Sequence, residues 1–187
     1  MNILQKQVSI RDNKKIYSLE FQNDRGYKFK FINFGCYFQN IIIPYPNQTK
    51  KYEDVILGYS NFKDIITDKS SFNSTIGRVA GRISNSSFYL NKKKYILYNN
   101  DKNNHLHGGK EGFNKKVWDI IDLKKKKNSA HCLMFFKSSD LEEGYPGNIK
   151  CYTKYTLDND NNITIEYKAI TDKDTIINLT NHNYWNF

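Results

Sequence analysis

Residues 149–169 read Ile149-Lys-Cys-Tyr-Thr-Lys-Tyr-Thr-Leu-Asp-Asn-Asp-Asn-Asn-Ile-Thr-Ile-Glu-Tyr-Lys-Ala169. Successive side chains of an extended strand point to opposite faces. Ile149, Cys151, Thr153, Tyr155 and Leu157 therefore share one face, and Ile163, Ile165, Tyr167 and Ala169 share a face of the next run. The polar cluster Asp158-Asn-Asp-Asn-Asn162 between them reads as a hairpin loop. The same period of two predicts strands over 16–21, 27–32, 37–43, 87–90, 95–98, 117–123 and 131–137. A turn at Asn91-Lys92-Lys93 joins 87–90 to 95–98 as a second hairpin. The nearest helical candidate, Ser60 to Thr67, is too short for more than about two turns. Many short strands with polar turns predict an all-β sandwich or barrel. No repeat or linker is visible, so residues 1–187 are expected to form a single domain.

Composition supports an ordered chain. Aromatics make up 15% of the residues, with only three prolines, which suits a strand-rich globule rather than a disordered polymer. The formal charge of +10 would suit a nucleic acid or an anionic membrane. The lysines, however, fall in short runs at Lys92 to Lys94 and Lys124 to Lys127, each beside a predicted strand end, where solvated hairpin loops gather charge. No zinc-finger spacing or RNA-binding aromatic motif accompanies them, so neither a nucleic-acid nor a membrane partner is expected. Cys36, Cys132 and Cys151 form no CxxC pair and predict buried reduced thiols. With no apolar run of signal or membrane-spanning length, a soluble cytoplasmic protein is expected.

Four segments depart from strand patterning: Gly77-Arg-Val-Ala-Gly-Arg-Ile83, Asn104-His-Leu-His-Gly-Gly109, Glu142-Glu-Gly-Tyr-Pro-Gly147 and Asn181-His-Asn-Tyr-Trp-Asn186. In this order, with Glu53-Asp-Val-Ile-Leu-Gly58, Trp118, Tyr155-Thr-Leu157 and Ile177-Asn-Leu-Thr180, the chain resembles the aldose 1-epimerase (galactose mutarotase) family from about Asn33 onward. The resemblance implies a large β-sandwich and the interconversion of α and β anomers of free hexoses such as glucose and galactose, without metal or organic cofactor. That chemistry needs two titratable groups on one sugar. A base takes the proton of the anomeric hydroxyl while an acid protonates the ring oxygen.

Carried over by resemblance, His182 is the general acid. An isolated histidine is more often a satisfied strand-end residue, and it is the surrounding motif that moves this one toward catalysis. Tyr184 and Trp185 alternate after it, so one is expected on the sugar, for which Tyr184 is taken, and the other in the core. His107 matches a position that contacts sugar hydroxyls, and Arg82 matches an arginine that donates to them. Arg78 is expected to be structural. His105 falls on the same side as His107 if the segment is extended. Gly81 stands where the family usually has asparagine. Glu142 and Glu143 read as solvated loop residues. The family's general base and a sugar-binding aspartate lie beyond the His182 motif. The resemblance thus covers an N-terminal portion lacking its C-terminal part, expected to be weak or inactive alone, with self-association or a missing half covering its open strand edges.

Two other readings remain open. His105-Leu-His107-Gly-Gly-Lys-Glu111 also reads as His-x-His-x3-Glu, the first metal motif of cupins, with His131 as a further ligand. Alternatively, Arg82 and His107 belong to a non-catalytic sugar binder without a base. Metal analysis and sugar binding without interconversion discriminate them.

Overall fold

The computed structural model describes residues 1–45 and 51–187. Five strands, β1 (Asn2–Arg11), β2 (Lys14–Gln22), β3 (Lys28–Ile32), β4 (Tyr37–Pro44) and β5 (Tyr52–Asp54), form one antiparallel sheet in sequential order. A short α-helix, α1 (Phe62–Thr67), follows, and its N-terminus is capped by the Asn61 side chain accepting from the Asp64 N–H. The central segment carries small pairings: β6 (Thr75–Ile76), β7 (Arg82–Ile83), the hairpin β8 (Ser87–Leu90) and β9 (Lys93–Ile96), and β10 (His105–Leu106). A second antiparallel meander comprises β11 (Asp119–Lys125), β12 (Ser129–Ser138), β13 (Ile149–Asp158) and β14 (Ile163–Thr171). Finally β15 (Thr180–Asn181) returns to pair with β6, and β10 pairs with β7. No helix among the described residues is long and apolar enough to cross a membrane.

The alternation of β13 is the reason the two large sheets stack. Ile149, Cys151, Thr153, Tyr155 and Leu157 are all buried, while the residues between them are not. They meet Leu19, Phe21, Phe29, Phe31 and Phe38 of the first sheet in one core. Tyr155 is the pin of that core, its ring 4.8 to 5.6 Å from those of Phe29, Phe31 and Phe38. Its buried hydroxyl donates to the Cys36 carbonyl at 2.7 Å, so the ring's burial leaves no polar group unsatisfied. A smaller core of Ile16, Ile32, Phe34, Tyr37, Ile65 and Val117 lies under α1.

Several boundaries move. Asn91 and Lys92 both take positive φ, 50° and 63°, so the turn closes on two residues and Lys93, expected in the turn, already pairs with Leu90. The second strand of that hairpin is therefore Lys93–Ile96, not 95–98. The lysine runs are exposed as expected, yet Lys93, Lys94, Lys124 and Lys125 lie within strands. β1 and β5 were not expected. β1 is an edge strand with Leu4 and Ile10 exposed, and it is ordered by its ladder with β2 rather than by a buried stripe.

Arg78 is only 2% exposed, as its structural reading anticipates. Its guanidinium donates to the Ser138 hydroxyl at 2.8 and 3.0 Å, to the Ser139 carbonyl at 2.7 Å and to the Pro146 carbonyl at 2.9 Å. Burial pulls its pKa down, and Glu142 opposes that shift. One side chain thereby fastens the β6–β7 segment to the loop that follows β12.

Candidate functional site

One buried residue makes several of the bonds that position the C-terminal motif. Asn73 is fully buried with φ 53°, a left-handed conformation that asparagine tolerates. Its N–H donates to the His182 carbonyl at 2.9 Å and its Oδ1 accepts the Tyr184 N–H at 3.1 Å. Its amide nitrogen donates to the Leu57 carbonyl at 2.8 Å. The His182 N–H in turn reaches the Ser74 carbonyl at 3.0 Å. Asn73 was missed in the sequence, where the only hint was an asparagine in an otherwise unpatterned stretch.

His107 arrives from the other side. β10 ends after two residues, and His107 turns to φ 53°. Its N–H donates to the Gly81 carbonyl at 3.0 Å, and its Nδ1 accepts the Gly81 N–H at 3.1 Å. That acceptor role assigns the proton of neutral His107 to Nε2. The next turn brings Gly108 (φ 83°) so close that a Cβ there would lie 1.7 Å from the Gly77 carbonyl oxygen. Glu143 then clamps the turn, accepting the Lys110 N–H at 3.1 Å and the Glu111 N–H at 2.9 Å. Glu142 accepts from Ser138 and pairs with Lys116 at 2.7 Å. The two glutamates expected to be solvated are thus the braces of the site loops.

The rings meet in one cleft of about 570 Å³, a size ordinary for a small-molecule site. His107 and His182 stand edge to face, with centroids 4.9 Å apart and planes at 88°. Tyr184 stacks on His182 at 5.3 Å and abuts Phe72 at 4.5 Å. His107, His182 and Tyr184 all line the cleft, with Tyr98, Asn100 and Asn114. Arg82 does not. Its guanidinium is 60% exposed and its Nε donates to Asp101 at 2.7 Å, because the turn at Asp101–Asn104 presents that carboxylate beside β7. Trp185 is also not the core residue anticipated. Leu57 N–H donates to the Tyr184 carbonyl and Asn186 N–H to the Val55 carbonyl, so the segment lies along 55–57 and leaves Trp185 53% exposed.

His105 and His107 do not face one way. His105 is fully buried, its Nδ1 donating to the Tyr98 carbonyl and its Nε2 accepting from the Tyr145 hydroxyl, both at 2.7 Å. His131 faces Asp122 across the β11–β12 pair at 2.9 Å. The His-x-His-x3-Glu reading therefore fails on geometry, since the left-handed turn at His107 separates the two imidazoles.

The pKa values of both site-segment histidines are depressed. Burial lowers His105, and burial followed by the charges of His182 and Arg82 lowers His107, each from an ordinary 6.5. The unfolded chain then takes up protons that the folded chain refuses. Stability is full above about pH 6.5 and is lost as pH falls through the folded values. Paired carboxylates such as Asp140 and Asp158 act only below their usual 3.8. The urea midpoint is expected to drop between pH 7 and pH 5, and to drop less in His105→Phe. A flat midpoint over that range would contradict the assignment.

Among the described residues, Asp68 is the one carboxylate lining the cleft. It accepts the Ser70 N–H at 2.9 Å, the Phe72 N–H at 3.0 Å and the Tyr59 hydroxyl at 3.1 Å. Those three bonds occupy it in holding its own loop. Gly81, bonded to His107 through both its N–H and its carbonyl, has φ 84°, and a side chain there would meet no atom within 4 Å.

A family model described as aldose 1-epimerase matches residues 17–187. The aldose 1-epimerase of Haemophilus influenzae is 35% identical over 168 residues, which is 90% of this chain and 47% of that protein. The galactose mutarotase of Sus scrofa is 33% identical over 172 residues, 91% of this chain and 47% of that protein. The crystal structure of galactose 1-epimerase from Lactobacillus acidophilus NCFM superposes with a TM-score of 0.89 at 29% identity, covering 98% of this chain and 53% of that one. The chain spans about half the length of the curated relatives it matches.

Proposed function

The chain belongs to the aldose 1-epimerase family, and from that premise we propose that its cleft binds a free hexose such as glucose or galactose for interconversion of the anomers. The observation that carries this reading is the perpendicular pair His107 and His182, 4.9 Å apart in one cleft with Tyr184 beside them. Two imidazoles held at one point by unrelated segments are costly to arrange for packing alone.

In this reading His182 gives its proton to the ring oxygen as the C1–O5 bond breaks and a base removes the proton of the C1 hydroxyl. The C1–O1 bond becomes the carbonyl of the open-chain aldehyde. Rotation about C1–C2 presents the other carbonyl face. Closure then re-forms C1–O5, returns the ring-oxygen proton to His182 and restores the C1 hydroxyl. His107, neutral with its proton on Nε2, donates to a sugar hydroxyl. Tyr184 supplies an apolar face. Arg82, which does not line the cleft and is held by Asp101, takes no part in this contact set. The base is assigned to polypeptide outside the described residues, because Asp68 is held by three hydrogen bonds. Residues 1–187 then act as one domain-sized portion of the sandwich. Three free buried cysteines fit a reducing, cytoplasmic setting.

The test is titration of the folded 187-residue chain with glucose and galactose, followed through its imidazole resonances, alongside polarimetry of freshly dissolved α-anomers. Binding that shifts His107 and His182 is expected, with interconversion slow because Asp68, the carboxylate in the cleft lining, is held by three hydrogen bonds. Binding with no acceleration under any condition, including added C-terminal half of a relative, would favour a sugar-binding role. A folded chain that neither binds nor accelerates would overturn the proposal.

A further inference from the structure

The second sheet has an outer face that its core contacts leave open. β12 and β13 turn alternate residues into the core, and the β13–β14 register carries the same alternation to β14. On the outer face Phe135 stands opposite Tyr152 and Tyr152 opposite Lys168, while in the next row Lys137 stands opposite Lys150. The two rings belong to the middle strands of this four-stranded sheet, are half-buried, and have centroids 5.2 Å apart. The three lysines around them are exposed, as is Ile170 beside Lys150. A groove of about 420 Å³ runs over the same face, with Leu133, Tyr152, Lys168 and Ile170 in its lining. None of these residues lines the histidine cleft.

The charges on this face are unevenly matched. Its carboxylates are taken: Asp119 pairs with Lys14 at 2.8 Å, Asp122 with Lys124 at 3.2 Å and His131 at 2.9 Å, and Glu166 with Lys154 at 2.6 Å. Among the described residues no carboxylate lies within 4.0 Å of the amine of Lys137, Lys150 or Lys168. Like charges directly opposite on paired strands are unfavourable, and Lys137 and Lys150 are placed in that way. An anion lying between them turns the repulsion into binding. The ligand must then offer flat rings to Phe135 and Tyr152 and repeated negative charge to the lysines. A single strand of nucleic acid supplies one base and one phosphate at every step, and aromatic rings on an open sheet stack such bases.

We propose that the outer face of β12–β14 binds single-stranded nucleic acid, with unpaired bases stacked on Phe135 and Tyr152 and phosphates held by Lys137, Lys150 and Lys168. The expectation of no nucleic-acid partner weighed the lysine runs at 92–94 and 124–127 and the lack of a local aromatic motif. This site takes its rings from two strands and its lysines from three, so no single stretch of sequence displays it. It is independent of the aldose cleft, and either can fail alone.

The test is fluorescence anisotropy of end-labelled oligothymidylate and oligouridylate of about twelve nucleotides, within the usual site range, titrated with the folded chain at several salt concentrations. Binding is expected, with log K falling against log salt at a slope of about −2, or about −0.7 for each of three phosphates. In Lys137→Gln/Lys150→Gln the slope is expected to shrink to about −0.7. Tyr152→Leu is expected to weaken binding about tenfold with the slope unchanged, and Tyr152→Phe to retain it. All three positions lie outside the core, so the variants leave it intact. A slope unchanged in the double lysine variant would place the contacts elsewhere on a chain of charge +10 and overturn the proposal. Full affinity in Tyr152→Leu would overturn it too, as would a duplex bound as tightly as the single strand, since paired bases offer no free face to a ring. Binding to vesicles of anionic lipid but to neither oligonucleotide would make the face a membrane surface and reject it.

Discussion

Replacement of His182 by alanine is expected to slow anomer interconversion by about 100- to 10,000-fold, in whichever form of the protein turns sugar over. The imidazole sits between His107 at 4.9 Å and Tyr184 at 5.3 Å, so alanine removes both a proton donor and a packing partner. His182→Gln separates the two, because it keeps bulk and polarity but cannot titrate. If His182 protonates the ring oxygen, kcat falls in both variants while KM moves little. A rise in KM with kcat retained in His182→Gln would make the imidazole a platform and refute its role as acid. Unfolding is not the expected cause in either case, since the backbone bonds to Asn73 and Ser74 are untouched.

The second large effect is on stability. Arg78→Ala is expected to cost about 3–5 kcal/mol, the usual cost of removing one member of a buried, charged hydrogen-bond cluster. Its guanidinium is all but inaccessible and satisfies the Ser138 hydroxyl and the carbonyls of Ser139 and Pro146. Alanine removes the donors of those acceptors and leaves an arginine-sized void behind them. Lysine is not expected to rescue it, because one ammonium on a flexible stem cannot match a planar fork aimed at acceptors from two directions. The measurement is the urea midpoint of each variant with its slope. A loss below about 1 kcal/mol would show that the loop finds other partners.

What could be read from sequence follows from what each residue's job requires. β13 was legible because its buried face is an unbroken alternation from Ile149 to Leu157. Edge strands such as β1 carry no such stripe and are fixed by backbone pairing, which composition does not report. His182, His107 and Tyr184 were legible through their motifs, and the structure brings all three to one cleft. The opposed directions of His105 and His107 were not, because they depend on a single left-handed residue. Nor was the capture of Arg82 by Asp101, which arises from a turn nineteen residues further along. Asn73 went unnoticed and Glu143 was read as solvated for one reason. Each works by receiving or giving backbone hydrogen bonds to a distant segment, and such pairings have no local signature.

The chain contains two tryptophans, and the fold places them in opposite surroundings. Trp118 is fully inaccessible, its indole N–H donating to the Phe113 carbonyl at 3.2 Å, whereas Trp185 is half-exposed next to Tyr184 and stacked on Phe187 at 5.6 Å. The intrinsic fluorescence of the unlabelled chain is therefore a two-channel signal. A blue, quencher-shielded component belongs to the core, and a red, iodide-accessible one belongs to the C-terminal segment laid along 55–57. Collisional quenching can silence the second and leave the first, so that melting of the sandwich and detachment of that segment are read separately in a single cuvette.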